Sequence, residues 1–246
     1  NCLANLLVGL HQIIELPGKL GQMATHLSQT KIFRSGKLIW NEQGFHELSP
    51  MPSEEQLFDY YSKLYWASHH GGKDIQSIGQ RDFEHCVLLK EALGGNLANH
   101  SFLNFGAGEG GASKLMVLSG AQVVNVEPSG LKDYDWQTVP DIDQVENKFD
   151  VIYSSHSLEH VANLTHAIGA ILDRMEIGGY FFCEVPNCIN NPQIATPHTY
   201  YFTGQFFRNL PLKLVSLSTV SYSGSDESFY VCETDATAIR YLGQKI

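Results

Sequence analysis

Between Phe102 and Ser113 the chain reads FLNFGAGEGGAS: a short apolar run, four glycines within six residues, then helix-compatible sequence. A strand ending in G-x-G can turn sharply and pass close to a ligand, because no Cβ stands in the way. The helix that follows offers free N–H groups at its N-terminus. The turn therefore calls for a fold in which a strand feeds directly into a helix, and the sequence around it agrees. Strands are expected at Phe102–Phe105, Gln122–Val126, Phe149–Ser154 and Tyr180–Glu184, with helical segments between several of them. A helix is expected from Ser157 to Met175, with Leu158, Val161, Leu164, Ile168, Ile171, Leu172 and Met175 as its stripe and Gly178-Gly179 as its stop. Alternation of this kind, with nearly continuous apolar strands, means a parallel sheet covered on both faces. LKLVSLSTVSY and SFYVCET, separated by SGSDE, read instead as an antiparallel pair closing one edge.

The part before Ser101 has a different character. Leu3, Leu6, Leu7, Leu10, Ile13 and Ile14 recur at helical spacing up to Pro17-Gly18, and a second amphipathic stretch runs to about Leu27. KIFRSGKLIW looks like a hairpin turning at Ser35-Gly36. Ser53 with Gln56 forms a capping box ahead of another helix. A helix from about Gly79 to Leu93 is expected to bury Phe83, Val87, Leu88 and Leu93. The chain thus divides into an N-terminal extension, 1–95, read as a substrate cap or homodimer contact, and a ligand-binding domain, 96–246.

The chain has 246 residues and a net charge of −10, with 16 basic residues that never run three together. Phosphate neutralisation needs clustered Lys and Arg, so nucleic acid is excluded as the main partner. The five cysteines are widely spaced and form no C-x-x-C, which argues against a disulfide framework and for a reducing, cytoplasmic setting. No apolar run approaches the ~18 residues needed to span a bilayer.

Two ligand signatures fit the glycine turn. Gly106, Gly108 and Gly111 satisfy G-x-G-x-x-G, the pattern that holds a dinucleotide pyrophosphate. Gly106, Gly108 and Gly110 satisfy G-x-G-x-G, the loop that holds S-adenosylmethionine. In VVNVEPSG a carboxylate, Glu127, ends the next strand about 20 residues on, where it can accept from two ribose hydroxyls; both cofactor classes use such a group.

Here the chain resembles the class I S-adenosylmethionine-dependent methyltransferases, especially their small-molecule branch. The resemblance spans roughly Ser101 to Thr234. It rests on FLNFGAGEGG, VVNVEPSG, FDVIYSSHSLEHVANL, GGYFFCEVPN and PHTYYFTGQFF. It implies an α/β, Rossmann-like, seven-stranded, mostly parallel sheet of order 3-2-1-4-5-7-6 with strand 7 antiparallel. It also implies S-adenosylmethionine as cofactor, S-adenosylhomocysteine as product, and O-methylation of a small hydroxylated metabolite or saccharide. Carried over by residue, Asn104, Gly106, Ala107, Gly108 and Gly110 would cradle the methionine part, and Glu127 with Pro128 the ribose. Ser154 and Ser155 would line the cofactor near the methyl. Trp136 or Tyr134 would stack on the adenine with Asp135 accepting from it, or these residues would simply pack. The family usually has an acid where Asn104 stands; an amide there could orient the loop or reach the cofactor's amino group. The stretch from Glu127 to Phe149 is too short for a full helix and third strand, so that edge should be pared down.

An alcohol acceptor must also lose a proton, a task suited to histidine near neutral pH. His156 and His160 near the start of the Ser157 helix, and His198 in PHTYYFT, are the candidates, each alternatively a positioned histidine. A non-catalytic module with this fold is the second reading. A third is a zinc hydrolase, because His156-Ser157-Leu158-Glu159-His160 is literally H-x-x-E-H. His156 falls at the strand–helix junction and no acidic third ligand is identifiable, so no metal site is assigned. His69-His70-Gly71-Gly72 reads as a loop able to cover the cofactor.

Overall fold

The computed structural model describes residues 33, 36–65, 78–129, 136–187, 198–221 and 238–246. The helices read before Leu27, the first arm of the expected hairpin apart from Phe33, His69–Gly72, Tyr134, Asp135 and SFYVCET lie outside them.

Seven strands form one sheet. In chain order they are β3 (Ser101–Phe105), β4 (Gln122–Val126), β5 (Thr138–Val139), β6 (Phe149–Ser155), β7 (Met175–Pro186), β9 (Lys213–Val220) and β10 (Ala238–Gln244). Their spatial order is β5-β4-β3-β6-β7-β10-β9, which is the expected 3-2-1-4-5-7-6. The pairs from β5 through β7 are parallel, and β10 runs antiparallel to both β7 and β9. The short third edge is real: β5 is a two-residue strand.

Alternation along the central strands builds two apolar layers. Phe102, Val123, Val151, Tyr153 and Phe182 face one way, with Met116 of α3 (Gly111–Leu118) and Cys86 and Leu89 of α2 (Gln80–Ala92) packed on them. Leu103, Ile152, Phe181 and Cys183 face the other way, toward Leu164 and Ile171 of α4 (Leu164–Asp173) and Phe206 and Phe207 of α5 (Gly204–Arg208). A second sheet of three strands joins β1 (Lys37–Asn41), β2 (Phe45–Ser49) and β8 (Tyr200–Phe202), so the N-terminal hairpin pairs with the PHTYYFT segment. Ser53 and Gln56 make the expected capping box at the start of α1 (Glu54–Tyr60). Among the described residues no helix is long and apolar enough to cross a membrane.

The run Lys37–Asn41, read as the second arm of a hairpin, pairs with Phe45–Ser49 in a hairpin that turns after Asn41, where the Asn41 side chain accepts from Gln43 N at 2.9 Å and Gly44 supplies a φ of 103°. Two local expectations are corrected, on helices. Helix α2 buries His85, Cys86 and Leu89 and leaves Phe83, Val87 and Leu88 exposed. His85 is drawn inward by hydrogen bonds to Tyr153 and Glu184, which turns the helix away from the face its apolar residues suggest.

The helix expected from Ser157 begins only at Leu164, after a single 3-10 turn at Leu158–His160. Thr199 takes the carbonyls a continuing helix would use: its N–H donates to Glu159 O at 2.7 Å and its hydroxyl to Glu159 O at 2.9 Å and Val161 O at 2.7 Å. Asn163 then caps α4, accepting from His166 N. Gly178-Gly179 lies within β7, where a Cβ on Gly179 would come within 2.9 Å of Asp150 O and Glu176 O. Among the described residues the strand that pairs with β9 is Ala238–Gln244. Its one charge, Arg240, sits directly opposite Glu184 of β7.

Phe202 is fully buried against Phe45, Phe206 and Phe207. Phe202→Ala should therefore lower unfolding stability by about 3–5 kcal/mol, measured as a shifted urea midpoint at unchanged slope.

Candidate active site

Three glycines of the turn after β3 adopt left-handed backbone: Gly106 at φ 76°, Gly108 at 57° and Gly110 at 77°. Gly111 is instead the buried first residue of α3. The backbone thus uses its glycines in the G-x-G-x-G spacing, since left-handed φ is where a Cβ costs about 1–2 kcal/mol. Gly106 has a second reason to lack a side chain. The Ser157 hydroxyl crosses above it, donating to Gly106 O at 3.1 Å, and a Cβ on Gly106 would lie 2.0 Å from that oxygen.

Glu127, at the end of β4, faces this loop. It is 7% exposed, and its carboxylate accepts from Gly108 N at 2.6 Å and from Ser129 N at 3.0 Å. Burial pushes its pKa up, against the pull of those N–H groups. Ala107 is half-buried and donates its N–H to Val126 O; Pro128 is exposed. Trp136 is half-buried just ahead of β5, on the far side of β4, and Asp135 is outside the described residues.

Two of the expected cofactor contacts are withdrawn from the surface. Asn104 is 1% exposed: its amide donates to Ser113 Oγ at 2.7 Å, and that hydroxyl donates to Asn125 Oδ1 at 2.7 Å. The side chain orients the first turn of α3 rather than reaching outward. Ser154 is fully buried, with its hydroxyl against the Cys183 thiol. Both residues sit in central strands whose two faces are covered, so the alternation turns them into the layers. Ser155, one residue on, is half-buried and its carbonyl accepts from Ser157 Oγ.

The three histidines converge at the end of β6. His156 holds a left-handed φ of 52°, unusual for a residue with a Cβ. Its ring lies between two buried carboxylates, with Nδ1 3.5 Å from Glu159 Oε1 and Nε2 3.4 Å from Glu184 Oε1. Burial alone would lower its pKa, but Glu159 and Glu184 outweigh burial and raise it. His156 is therefore held toward the cationic form, unsuited to accept a proton. His160 pairs through Nδ1 with the Tyr61 hydroxyl at 2.6 Å, and its ring meets that of His198 edge-on at 4.9 Å. His198 is 3% exposed, and burial followed by the His160 charge lowers its pKa to about 3.

Two acids organise these rings; sequence reasoning named Glu159 only within H-x-x-E-H and missed Glu184. Glu159 is buried; burial raises its carboxyl, but His160, His156 and His198 overcome that and bring it to about 2. Glu184 accepts from Arg240 Nε at 2.7 Å and from His85 Nε2 at 2.9 Å. A carboxylate only accepts, so His85 Nε2 carries the proton, and Nδ1, in a ring that burial keeps neutral, accepts from Tyr153 OH at 2.8 Å. The signal available was Glu184 itself, an acid inside the apolar run FFCEVP.

The sequence model of the methyltransferase domain matches residues 79–210, more than half of the chain. The chain belongs to this family. Among solved structures, this methyltransferase resembles 1,6-didemethyltoxoflavin-N1-methyltransferase of Burkholderia thailandensis, with a TM-score of 0.58 at 15% identity over 85% of this chain and 99% of that one. Magnesium protoporphyrin IX methyltransferase of Synechocystis PCC 6803, solved with bound S-adenosylhomocysteine, gives 0.54 at 14% over 77% and 98%. The [4+2]-cyclase SpnF gives 0.53 at 15% over 70% and 84%. These likenesses are of fold. No curated protein matches this methyltransferase by sequence.

Gly106→Ala should destabilise the protein by at least about 1–2 kcal/mol, from backbone strain plus the clash with Ser157. Adding Ser157→Gly should restore only the part due to the clash. Thermal melts of the two variants measure this, and a wild-type midpoint for Gly106→Ala would refute it.

Proposed function

We propose that this methyltransferase transfers a methyl group from S-adenosylmethionine to oxygen of a small hydroxylated metabolite or saccharide. The observation that carries the reading is the pairing of the left-handed glycine loop with Glu127. Each carboxylate oxygen of Glu127 spends one lone pair on a backbone N–H and keeps another free. That leaves two acceptors for two adjacent hydroxyls, which fits a ribose, and the hydrogen bond to Gly108 fixes the loop beside it.

When bound, the cofactor supplies a methyl group already activated on a sulfonium. The protein's task is then alignment, worth several kcal/mol of the barrier in well-oriented systems. Glu127 holds the ribose, Gly106 to Gly110 let the backbone pass beneath the methionine part, and Ser155 to Ser157 close against Gly106 on the acceptor side. For an alcohol the proton leaves on the side of His160 and His198, since His156 is already charged. The part before residue 96 acts as the acceptor-side cap. Tyr61 on His160 and the pairing of β2 with β8 support that division of labour. SSHS after the fourth strand, where amino-methylating enzymes of nucleic acids carry N/D-P-P-Y, supports a small-molecule acceptor, and the choice of oxygen rests on the resemblance to the small-molecule branch.

Calorimetry with S-adenosylhomocysteine tests the cofactor: the wild type binds, while Gly108→Val and Glu127→Ala weaken binding at least tenfold. A wild type that does not bind refutes the reading. Transfer to matched hydroxyl and amine acceptors then decides the atom.

Affinity should also depend on pH with a definite sign. Ribose hydroxyls need an ionised Glu127, and its pKa lies above the ordinary glutamate value. Binding should weaken as pH falls, starting above the pH where an ordinary glutamate protonates. Glu127→Gln should bind more weakly at neutral pH and lose that dependence. An unchanged profile in the variant would assign the titration to another group.

A further inference from the structure

One buried group in the 3-10 turn after β6 lacks the partners its charge calls for. Glu159 is 1% exposed, and neither carboxylate oxygen accepts a hydrogen bond among the described residues. A carboxylate withdrawn from water needs donors or a cation in return, and the His156 ring at 3.5 Å is divided between Glu159 and Glu184. The side chains facing it are metal-ligand types. His160 Nε2 stands 3.8 Å from Glu159 Oε1, and one ligand atom each of Glu159, His160 and His198 fall within 4.8 Å of one another. Ligand bonds of about 2.0–2.2 Å in tetrahedral geometry hold donors ~3.4 Å apart, so this set closes on an ion with small side-chain movements.

We propose that Glu159, His160 and His198 form a binding site for a divalent cation of the zinc type. Two imidazoles and one carboxylate suit such an ion and leave a position open to an oxygen ligand. The surroundings are those a ligand set requires. Tyr61 OH pairs with His160 Nδ1, fixing the ring with Nε2 toward Glu159, as the outer partners of ligating histidines do. Thr199 bonds the Glu159 and Val161 carbonyls, which seats its neighbour His198 against the 3-10 turn. His160 is the partly open member, at 18% side-chain exposure, so an ion has a route in from its side.

This is not the H-x-x-E-H arrangement. Its glutamate would be a ligand rather than a base, and its third ligand comes from the segment leading into β8. His156 lies outside the set, and with an ion on Glu159 it keeps Glu184 as its counter-charge. Binding of the ion does not depend on methyl transfer. If the chain does methylate oxygen, an acceptor hydroxyl on the open position would have its pKa lowered there.

The test is a calorimetric titration of the full, chelator-treated chain with Zn2+, repeated with Co2+ and read by its visible absorption. The wild type should take one equivalent. Glu159→Gln and His198→Gln should bind about 100-fold more weakly or worse, and Tyr61→Phe about 10–100-fold more weakly. His166→Ala, which removes an exposed histidine of α4, should bind as the wild type does. Melting midpoints without metal identify which variants are folded, and His160→Gln replaces any that is not. A wild type that takes no Zn2+ overturns the proposal, as do folded Glu159 and His198 variants that bind it normally. S-adenosylhomocysteine affinity, measured in parallel, reports on the methyltransferase reading separately.

Discussion

Glu184 is a carboxylate with no exposed surface in the middle of the sheet, and four elements meet on it. His85 reaches it from α2, Arg240 from β10, and His156 from the end of β6, whose backbone N–H also donates to Glu184 O at 2.8 Å. Taking one ion out of water costs several kcal/mol even after relaxation, and the mutual attraction offsets this only when the geometry is good and the lone pairs are used. Here burial by itself would raise the carboxyl, yet its hydrogen-bonded histidines hold it far below the ordinary range. The charge therefore fixes the rotation of α2, the register of β10 and the strained φ of His156 together. Loss of Glu184 or Arg240 would leave a buried ion unbalanced, and loss of His85 a carboxylate lone pair without its donor.

Glu127 plays a related part at the other side of β3. Its carboxylate binds a loop N–H within the same chain before any ligand is considered, so the glycine turn is ordered by an acid rather than by packing. The buried Asn104–Ser113–Asn125 chain works beneath it, tying the first turn of α3 to β3 and β4 through neutral hydrogen bonds. An amide serves this place as a donor to Ser113 in a way that an ionised acid could not. The loop is thus held from above by a charge and from below by dipoles.

The sheet was legible because its signals are local: apolar runs for the central strands, glycines where φ is positive, and a carboxylate at the next strand end. The elements misread were those whose shape is set by distant polar partners. Periodicity from Leu158 to Met175 is helical, but Thr199 takes the carbonyls of Glu159 and Val161 and breaks the helix before Leu164. The apolar residues of α2 point outward because His85 points inward. The arginine inside the apolar run AIRYLGQ makes sense in a buried strand only opposite Glu184. The histidines of the site and Glu159 could be named in advance, but the contacts of Tyr61 and Glu184 with them could not, because residues far apart in sequence bring them together.

The position of β10 has a consequence for how the sheet comes into being. β9 precedes β10 along the chain, yet among the described residues it touches the sheet only through β10, which lies between it and β7. As the chain emerges, β9 has no strand among the described residues to join and the β7 edge that β10 will cover is open, the kind of surface that invites pairing with other molecules. Both conditions end together when Ala238–Gln244 arrives, so one late segment closes an edge and recruits its neighbour in the same step. Protection against aggregation on this side of the protein is thus tied to a single short strand, and a ribosome pausing ahead of it would prolong the vulnerable interval.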